Sequence, residues 1–138
     1  MDTPVELTTL DQARAFFRGD RFATDAGMTI ADAAPGWALI RLPLTEAHQN
    51  ARGSLMGGVP LTMADFACAV ATHFGAGAGL WVSADAHVSF LNPCKGGELV
   101  AEATRIKGGK RLSWYEVLIR DEFDTLIAKA TFTMCSRV

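Results

Sequence analysis

The sequence predicts a single α+β domain, spanning residues 1–138, in which a curved antiparallel β-sheet is wrapped around one long central α-helix. One observation is a continuous apolar stripe at helical spacing between residues 59 and 74. The other is a succession of strand-like segments after residue 80, separated by short turns. Because only one long helix is available to cover the sheet, we expect the sheet to curve around it. The chain shows no repeats or linkers, and its length suits one such domain.

The segment before the central helix predicts one short helix and one or two strands. Residues 10–18 have the spacing of an amphipathic helix, which Gly19 ends. Residues 22–34 are expected to form a strand or an irregular edge, closed by a Pro-Gly pair. Residues 37–44 alternate in character, which indicates a further strand.

The central helix is the strongest local prediction. Pro60 follows two glycines and suits the first turn of a helix, where its missing N–H costs no hydrogen bond. From there apolar residues recur at steps of four, three, four and four, and the helix is expected to end before the glycines that begin at Gly75. The apolar stripe consists of Val59, Met63, Phe66, Val70 and Phe74.

Four antiparallel strands are expected after this helix. Alternation in the first places its apolar side chains on one face and Ser83, Asp85 and His87 on the other. The second and third flank Gly108 and Gly109, a spacing typical of a two-residue hairpin turn. The four segments are residues 81–91, 98–107, 110–120 and 125–135.

Charge and cysteine content argue against several classes of function. A net charge of −2 provides no general attraction to nucleic acid or to an anionic membrane. The three cysteines lack CxxC spacing, and the three histidines have no ligand-like spacing with them, so we expect no disulfide framework, no metal and no redox cofactor. The first residues are acidic where a signal peptide needs a basic region and an apolar run, and the most apolar stretch is broken by aspartates and glycines. We therefore expect a cytoplasmic protein.

Asp65 is the first candidate for a catalytic group. It is the only formally charged residue of the central helix, and the residues beside it are small or apolar where an ordinary solvent face would carry Lys, Glu or Gln. We expect that face to be covered by the sheet or by a partner subunit. A carboxylate there is unfavourable unless it is hydrogen-bonded or functional. Two interpretations remain open: a catalytic carboxylate, or a carboxylate that bonds a neighbouring loop.

Gly57 and Gly58 precede the same helix. Unpaired N–H groups at a helix N-terminus can stabilise an oxyanion, and glycine lets a ligand approach them closely. Two glycines are also typical of a simple turn into a helix. Asp85 and His87 share one strand face two residues apart, which is compatible with an acid–base pair but is better explained by hydrogen bonds within a sheet or an interface.

Residues 50–69, NARGSLMGGVPLTMADFACA, resemble the motif of the PaaI-like hot-dog thioesterases, within the 4-hydroxybenzoyl-CoA thioesterase superfamily. The motif of this phenylacetate-degradation group has an asparagine, then His-Gly-Gly, then an aspartate nine residues after the histidine. Here Met56 occupies the histidine position and Asp65 lies at the same distance. Residues 82–93, VSADAHVSFLNP, resemble the next strand of the family, and residues 95–111, KGGELVAEATRIKGGKR, resemble the following hairpin.

The resemblance implies a hot-dog fold and hydrolysis of an acyl- or aryl-CoA thioester to free acid and CoA. Asp65 would then act as nucleophile or general base, and the N–H of Gly57 would hold the oxyanion. Asn50 would orient the substrate or the water, and Ser83 would help to place the water. Because the two halves of each site in this family come from different subunits, we expect Ser83 to act across the interface of a homodimer. Such dimers commonly pair into a homotetramer.

Residues that bind the substrate follow from the same resemblance. Met56 and Gly58 are expected to line the pocket, and a methionine there can neither donate a hydrogen bond nor move a proton. The phosphates of coenzyme A need local cations on a mildly acidic protein. The candidate cations are Arg52 and three residues near the tip of the hairpin, Lys107, Lys110 and Arg111.

Two other functions are compatible with the sequence. A non-catalytic acyl-CoA-binding module would keep the pocket without the chemistry, and Met56 favours this alternative. A hydratase or dehydratase acting on acyl thioesters would use the same fold, but such enzymes usually rely on a site histidine, which position 56 lacks.

Overall fold

A computed structural model describes residues 6–77 and 79–137. The elements, in chain order, are α1 (Leu10–Phe17), α2 (Arg21–Asp25), β1 (Thr29–Ala34), β2 (Trp37–Pro43), a 3₁₀ turn (Glu46–His48), α3 (Gly58–His73), β3 (Trp81–Phe90), β4 (Glu98–Gly108), β5 (Leu112–Asp121) and β6 (Leu126–Ser136). The predictions for α1, β2, α3 and the four later strands are confirmed to within two residues at each end.

The six strands form one antiparallel sheet in the order β1-β2-β4-β5-β6-β3. The central helix α3 packs against all six of them. Alanines on α3 and on the inner faces of β2, β4 and β6 let helix and sheet approach closely, and aliphatic side chains fill the space between them. The predicted α+β class is confirmed, as is the hot-dog architecture that the resemblance implies.

The helix α1 begins and ends as its sequence suggests. Thr9 and Gln12 form a capping box, in which each side chain accepts a hydrogen bond from the backbone N–H of the other residue. At the other end Phe17 packs edge-to-face on Phe66 of α3, with ring centroids 5.9 Å apart. This contact attaches α1 to the core.

The helix α2 was not predicted, because residues 22–34 were expected to form a strand or an irregular edge. Only residues 29–34 are a strand. In the five-residue helix before them, Ala23 is buried whereas Phe22 is 82% exposed. Since a helix this short buries a single side chain, it leaves no apolar periodicity for sequence analysis to detect.

The helix α3 buries the predicted stripe through Met63, Phe66 and Val70, which are 0–3% exposed. Its second face changes character along its length, because Cys68 is fully buried whereas Asp65 is exposed. Within the described ranges, no helix has the length and apolarity that crossing a membrane requires.

The strand β3 departs from the predicted alternation. Its register with β6 shifts between Ser83 and Asp85, so Ala84 is an extra residue in a β-bulge. Ser83 pairs with Met134, whose side chain is 1% exposed. Directly opposed residues point to the same face. Ser83 therefore lies on the inner face with Ala86, and the predicted placement of Ser83 beside Asp85 is wrong.

The hairpin between β4 and β5 also differs from its prediction. The two strands are joined by the three residues 109–111, whereas a two-residue turn at Gly108 and Gly109 was expected. Gly108 is the last residue of β4 and pairs with Ser113. A further register shift, between Arg105 and Lys107, makes Ile106 an extra residue in β4. Because the strand gains a residue before the turn, the loop forms one position later than the spacing of glycines predicts.

Candidate active site

Asp65 and Ser83 meet across the gap between α3 and β3. The hydroxyl of Ser83 donates a hydrogen bond to Asp65 Oδ1, with an O···O distance of 2.8 Å. The bulge in β3 makes this contact possible, because it turns Ser83 toward the helix. Met134 Sδ lies 3.5 Å from the same hydroxyl. The serine is thus held between a carboxylate and a buried thioether.

Within one chain Ser83 therefore already has a partner, the carboxylate of Asp65, and its expected position at a dimer interface stays a prediction. Both residues are exposed in the single chain. This face of α3 is open at Asp65 in the single chain, and its cover by a partner subunit stays a prediction.

A cavity of about 570 Å³ opens beside this pair. Its size falls in the range of small-molecule sites, roughly 300–1,000 Å³. Its lining is mixed: five residues are polar or charged, among them Asp65 and Ser83, and the other six are apolar. The residues that line it are Asp20, Arg21, Phe22, Ala23, Leu61, Thr62, Asp65, Phe66, Ser83, Ala86 and Phe132. A carboxylate among apolar lining residues suits a substrate with an apolar group attached to a polar reacting centre.

A second carboxylate, Asp20, lines the same cavity and was missed by the sequence analysis. Burial raises the pKa of the Asp20 carboxyl, and the nearby charge of Asp65 raises it further, while His73 acts in the opposite direction. Asp20 precedes α2, the one helix that the sequence did not predict. No periodicity or motif in the sequence connects Asp20 with Asp65, so only the fold could reveal their proximity.

Cys68 lies one turn of α3 beyond Asp65 and is fully buried. Burial raises the pKa of its thiol far above the ordinary range, and the negative charge of Asp65 adds to this effect. The residue therefore stays a neutral thiol and has no nucleophilic role at the site.

The residues around the start of α3 form a separate group. Asn50 Oδ1 accepts hydrogen bonds from the N–H groups of Arg52 and Ser54, which fixes the turn that leads into the helix. The backbone N–H of Met56 bonds to the carbonyl of the buried His48, and the Met56 side chain is 51% exposed. Asn50 and Met56, for which the sequence predicts roles at the site, therefore both lie in a turn that hydrogen bonds hold in place.

Gly57 is the N-cap residue of α3 and has a helical φ of −58°. A Cβ at this position would lie 3.3 Å from the ring of Phe90, a close contact that this exposed ring can relieve by a small shift. Among the described residues, no acceptor takes the N–H of Gly57 or that of Gly58. Both groups are free to bind a negatively charged oxygen.

Asp65 and Gly57 do not meet in one chain. They are eight residues apart on a single helix, which at 1.5 Å per residue separates them by about 12 Å. A group that stabilises the oxyanion must lie about 3 Å from it, as must the carboxylate that attacks or activates water. One chain thus contains both halves of the predicted chemistry, but at two places.

The predicted cations also fall into two groups. Arg52 belongs to the turn before α3, whereas Lys107, Lys110 and Arg111 lie at or beside the β4–β5 loop. The loop lies at the Ser83 end of the sheet, since Ser83 pairs with Met134 and Met134 pairs with Ser113. Two strand spacings separate Ser83 from Ser113, or about 10 Å. Lys107 also lies 5.9 Å from the centre of the Trp114 ring.

The histidines have structural roles or lie on the outer face of the sheet. His48 accepts a hydrogen bond from Thr45 N at Nδ1, and its Nε2 lies 2.7 Å from the carbonyl oxygen of Ala26. His73 bonds Ala69 O and Trp81 N through its two ring nitrogens. His87 is exposed opposite Thr131 and makes no side-chain hydrogen bond to a described residue. No cluster of three possible metal ligands occurs within residues 6–77 and 79–137.

Several known proteins are similar to this chain in sequence or in fold. The family model of the thioesterase superfamily matches residues 52–128. Human acyl-coenzyme A thioesterase 13 is 32% identical over 108 residues, which are 77% of this chain and 77% of that protein. A protein described as a putative esterase, from Deinococcus radiodurans, is 39% identical over 100 residues, or 72% of this chain and 66% of that protein. Among solved structures, a mutant of the phenylacetic acid degradation protein PaaI from Thermus thermophilus superposes with a TM-score of 0.78 at 26% identity, covering 84% of this chain and 98% of that one.

Proposed function

This chain belongs to the thioesterase superfamily and is a thioester hydrolase, and we propose that it cleaves acyl-CoA thioesters to free acid and coenzyme A with Asp65 as the catalytic carboxylate. The PaaI-like resemblance drawn from the sequence is confirmed. The observation that carries the proposal is the 2.8 Å hydrogen bond from Ser83 to Asp65 at the edge of an otherwise largely apolar cavity.

This hydrogen bond orients Asp65 for chemistry. Ser83 occupies Oδ1, so Oδ2 remains available to the substrate or to water. As a general base, Asp65 takes a proton from water while the water oxygen bonds to the thioester carbonyl carbon. The C–S bond then breaks, the sulfur of coenzyme A takes up the proton, and the acid is released. As a nucleophile, Asp65 itself bonds to that carbon and expels the thiolate, and water hydrolyses the resulting anhydride.

A single turnover in H₂¹⁸O identifies the nucleophilic route when water attacks the aspartyl carbonyl of the anhydride, whereas label in the acid alone is consistent with either route. The general-base route places one ¹⁸O in the released acid. If the first turnover gives acid without label and Asp65 with label, the carboxylate is the nucleophile, because water has then attacked the aspartyl carbonyl. Mass spectrometry of the acid and of the peptide containing Asp65 measures both.

The oxyanion donor in the proposal is the N–H of Gly57 from a second copy of the chain. Two features support a dimer: the 12 Å separation of Asp65 and Gly57, estimated above from the rise of a helix, and the free edge of β3. Only β6 pairs with β3 within the described residues, and Val82 and Phe90 on this strand are exposed. Such an edge favours pairing with another strand. In this arrangement Asp65 and Ser83 come from one subunit, and Gly57 and Asn50 from the other.

The first experiment measures thiol release from a panel of aryl- and alkyl-CoA thioesters, with Asp65→Asn and with Asp11→Asn as the matched control. Asp11 is an exposed aspartate of α1. Loss of a general base lowers kcat by about 10²–10⁴-fold, and we expect that loss for Asp65→Asn alone. Coenzyme A binding without turnover by the wild type would instead favour the acyl-CoA-binding module. Equal turnover by Asp65→Asn and wild type would contradict the role of Asp65.

A mixed dimer tests the second half of the site. Gly57→Pro removes the N–H at a φ that proline adopts, while Gly57→Ala adds a Cβ but keeps the donor. We expect Gly57→Pro to be far slower than Gly57→Ala. Refolding Gly57→Pro together with Asp65→Asn then restores one intact site per heterodimer if the site is shared. Mixtures as inactive as the two parents would place both groups in one subunit.

A further inference from the structure

A second cavity, of about 510 Å³, lies beneath α1 on the side of β1. It shares a single lining residue, Phe66, with the cavity at Asp65. Its lining residues are Arg14, Phe17, Arg18, Thr24, Met28, Thr29, Ile30, Ala31, Arg41 and Phe66. Nothing in the proposed hydrolysis uses this cavity.

The floor of the cavity is apolar. Four of its residues are nearly inaccessible to solvent, at 3–4% exposure: Phe17, Met28, Ile30 and Phe66. A bound apolar group would contact two rings, a thioether and a branched aliphatic side chain. Such a floor favours a ligand with a hydrocarbon part and gives no hydrogen bond to a polar one.

The rim is positively charged and contains no acidic residue. Arg41 pairs with Glu98 at 2.6 Å, which leaves Arg14 and Arg18 without a carboxylate partner among the described residues. The guanidinium of Arg14 donates to the carbonyls of Ile30 and Ala31 on the free edge of β1. The guanidinium of Arg18 makes no hydrogen bond within the described chain.

The two arginines lie at the C-terminal end of α1, where each cation interacts favourably with the helix dipole but unfavourably with the charge of the other. Arg14 and Arg18 are four residues apart at the end of α1, and like charges at this spacing repel each other. In the next helix, α2, Arg21 has an acidic partner, Asp25. Arg14 and Arg18 have none among the described residues. An anion at the mouth of the cavity would relieve this repulsion.

We propose that this cavity binds an amphipathic monocarboxylate, with the carboxylate on Arg18 beside Arg14 and the hydrocarbon tail on the floor. Arginine binds a carboxylate through two parallel N–H groups, and Arg18 has all of its donors free. One unpaired guanidinium above a closed apolar floor suits a single anionic group with a tail. The cavity volume falls in the range of small-molecule sites.

Free carboxylic acids are what thioester hydrolysis releases, so the occupant is either the acid made by this enzyme or an acid from another source. The shared residue Phe66 follows Asp65 on α3 and lines both cavities. An acid bound here packs against the ring next to the catalytic carboxylate. Binding itself requires no turnover, so the proposal stands or falls independently of the proposed function.

Calorimetric titration with octanoate tests the site, and octanol serves as the uncharged ligand. The variants are Arg18→Gln and, as a matched control far from the cavity, Arg120→Gln. We expect saturable binding of octanoate to the wild type and a loss of tenfold or more in Arg18→Gln. Arg120→Gln should stay within twofold of the wild type, and octanol should bind at least tenfold more weakly. Arg18→Gln binding within twofold of the wild type, or octanol binding as tightly as octanoate, overturns the proposal.

Methyl NMR locates the ligand. Met28 lies on the floor of this cavity, whereas Met134 is a buried neighbour of Ser83, which lines the other cavity. We expect octanoate to shift the Met28 methyl signal, assigned with Met28→Leu, and to leave that of Met134 in place. A shift of Met134 alone would place the acid in the catalytic cavity and overturn the proposal. The source of the bound acid is identified by comparing two sets of acids: those whose CoA esters this enzyme cleaves, and those whose CoA esters it does not cleave. Tighter binding of the first set indicates that the ligand is the product. Equal binding indicates that the cavity takes carboxylates in general.

Discussion

Replacing Ser83 by alanine removes one hydrogen bond from Asp65 and little else. Hydrogen bonds to charged groups contribute about 1.5–3 kcal/mol, and the lower part of that range applies because both side chains are exposed in the single chain. Since 1.4 kcal/mol corresponds to a factor of about ten in rate, we expect kcat/KM to fall about tenfold, and no more than about 100-fold. Stability should fall by no more than about 1.5 kcal/mol, because no buried polar atom is left without a partner.

Ser89→Ala is the matched control for this experiment. Ser89 lies on the same strand but pairs with Lys129 on the outer face of the sheet. Thiol release at several substrate concentrations gives kcat and KM, and thermal unfolding reports on stability. Turnover by Ser83→Ala within twofold of the wild type would refute the orienting role of the hydroxyl. An equal loss in Ser89→Ala would attribute the effect to the strand and not to the hydrogen bond.

Three further predictions concern the titratable groups near the site and at the far turn. Asp20→Asn should raise the melting temperature at pH 7. The free energy of unfolding should rise by less than about 1 kcal/mol, because solvent screens the partly exposed carboxyl. The pKa of Asp20 is raised in the folded state, so its ionised carboxylate destabilises the fold. The stability gained by Asp20→Asn is therefore absent below the ordinary pKa of 3.8 and is complete once the pH exceeds the raised pKa. Cys68→Ala should retain wild-type turnover, whereas a loss above tenfold would assign the thiol a role. Burial acts to raise the pKa of Asp121, but hydrogen bonds from the N–H groups of Thr125, Phe123 and Lys95 outweigh it and lower that pKa. Asp121→Asn should therefore lower the melting temperature at pH 7, and the difference should disappear as pH falls through the depressed pKa; a difference that persists in acid contradicts this account.

The sequence predicted most of the fold because most elements contain their own periodicity. The stripe from Val59 to Phe74 specifies α3, alternation specifies β2, and the glycines of the hairpin indicate β4 and β5. The exception at the N-terminal side, α2, buries only Ala23 and therefore leaves no pattern. Its existence depends on contacts with α3, which no local sequence feature records.

The sequence singled out Asp65, Gly57 and Ser83 as candidate site residues, but it did not predict how they are arranged. Asp65 stood out as a lone charge on an apolar helix, and Gly57 as a glycine at a helix start. Alternation placed Ser83 on the wrong face, because the bulge at Ala84 reverses the direction of every side chain before it. Asp20 has no sequence relationship with Asp65 at all. The bulge consists of one extra residue, Ala84, yet it decides whether Ser83 meets Asp65.

The spacing of the motif carries information about assembly that its residue types do not. Asp65 and Gly57 lie on one rigid helix, so no rotation of side chains can bring them to a common carbonyl carbon. Eight residues also turn the helix by about 800°, which leaves the two positions roughly 80° apart around its axis. A loop between them could bend and close that gap, but α3 is unbroken from Gly58 to His73. If both residues act on the same thioester, the second one has to come from another chain, and the free edge of β3 beside Ser83 is where that chain can join.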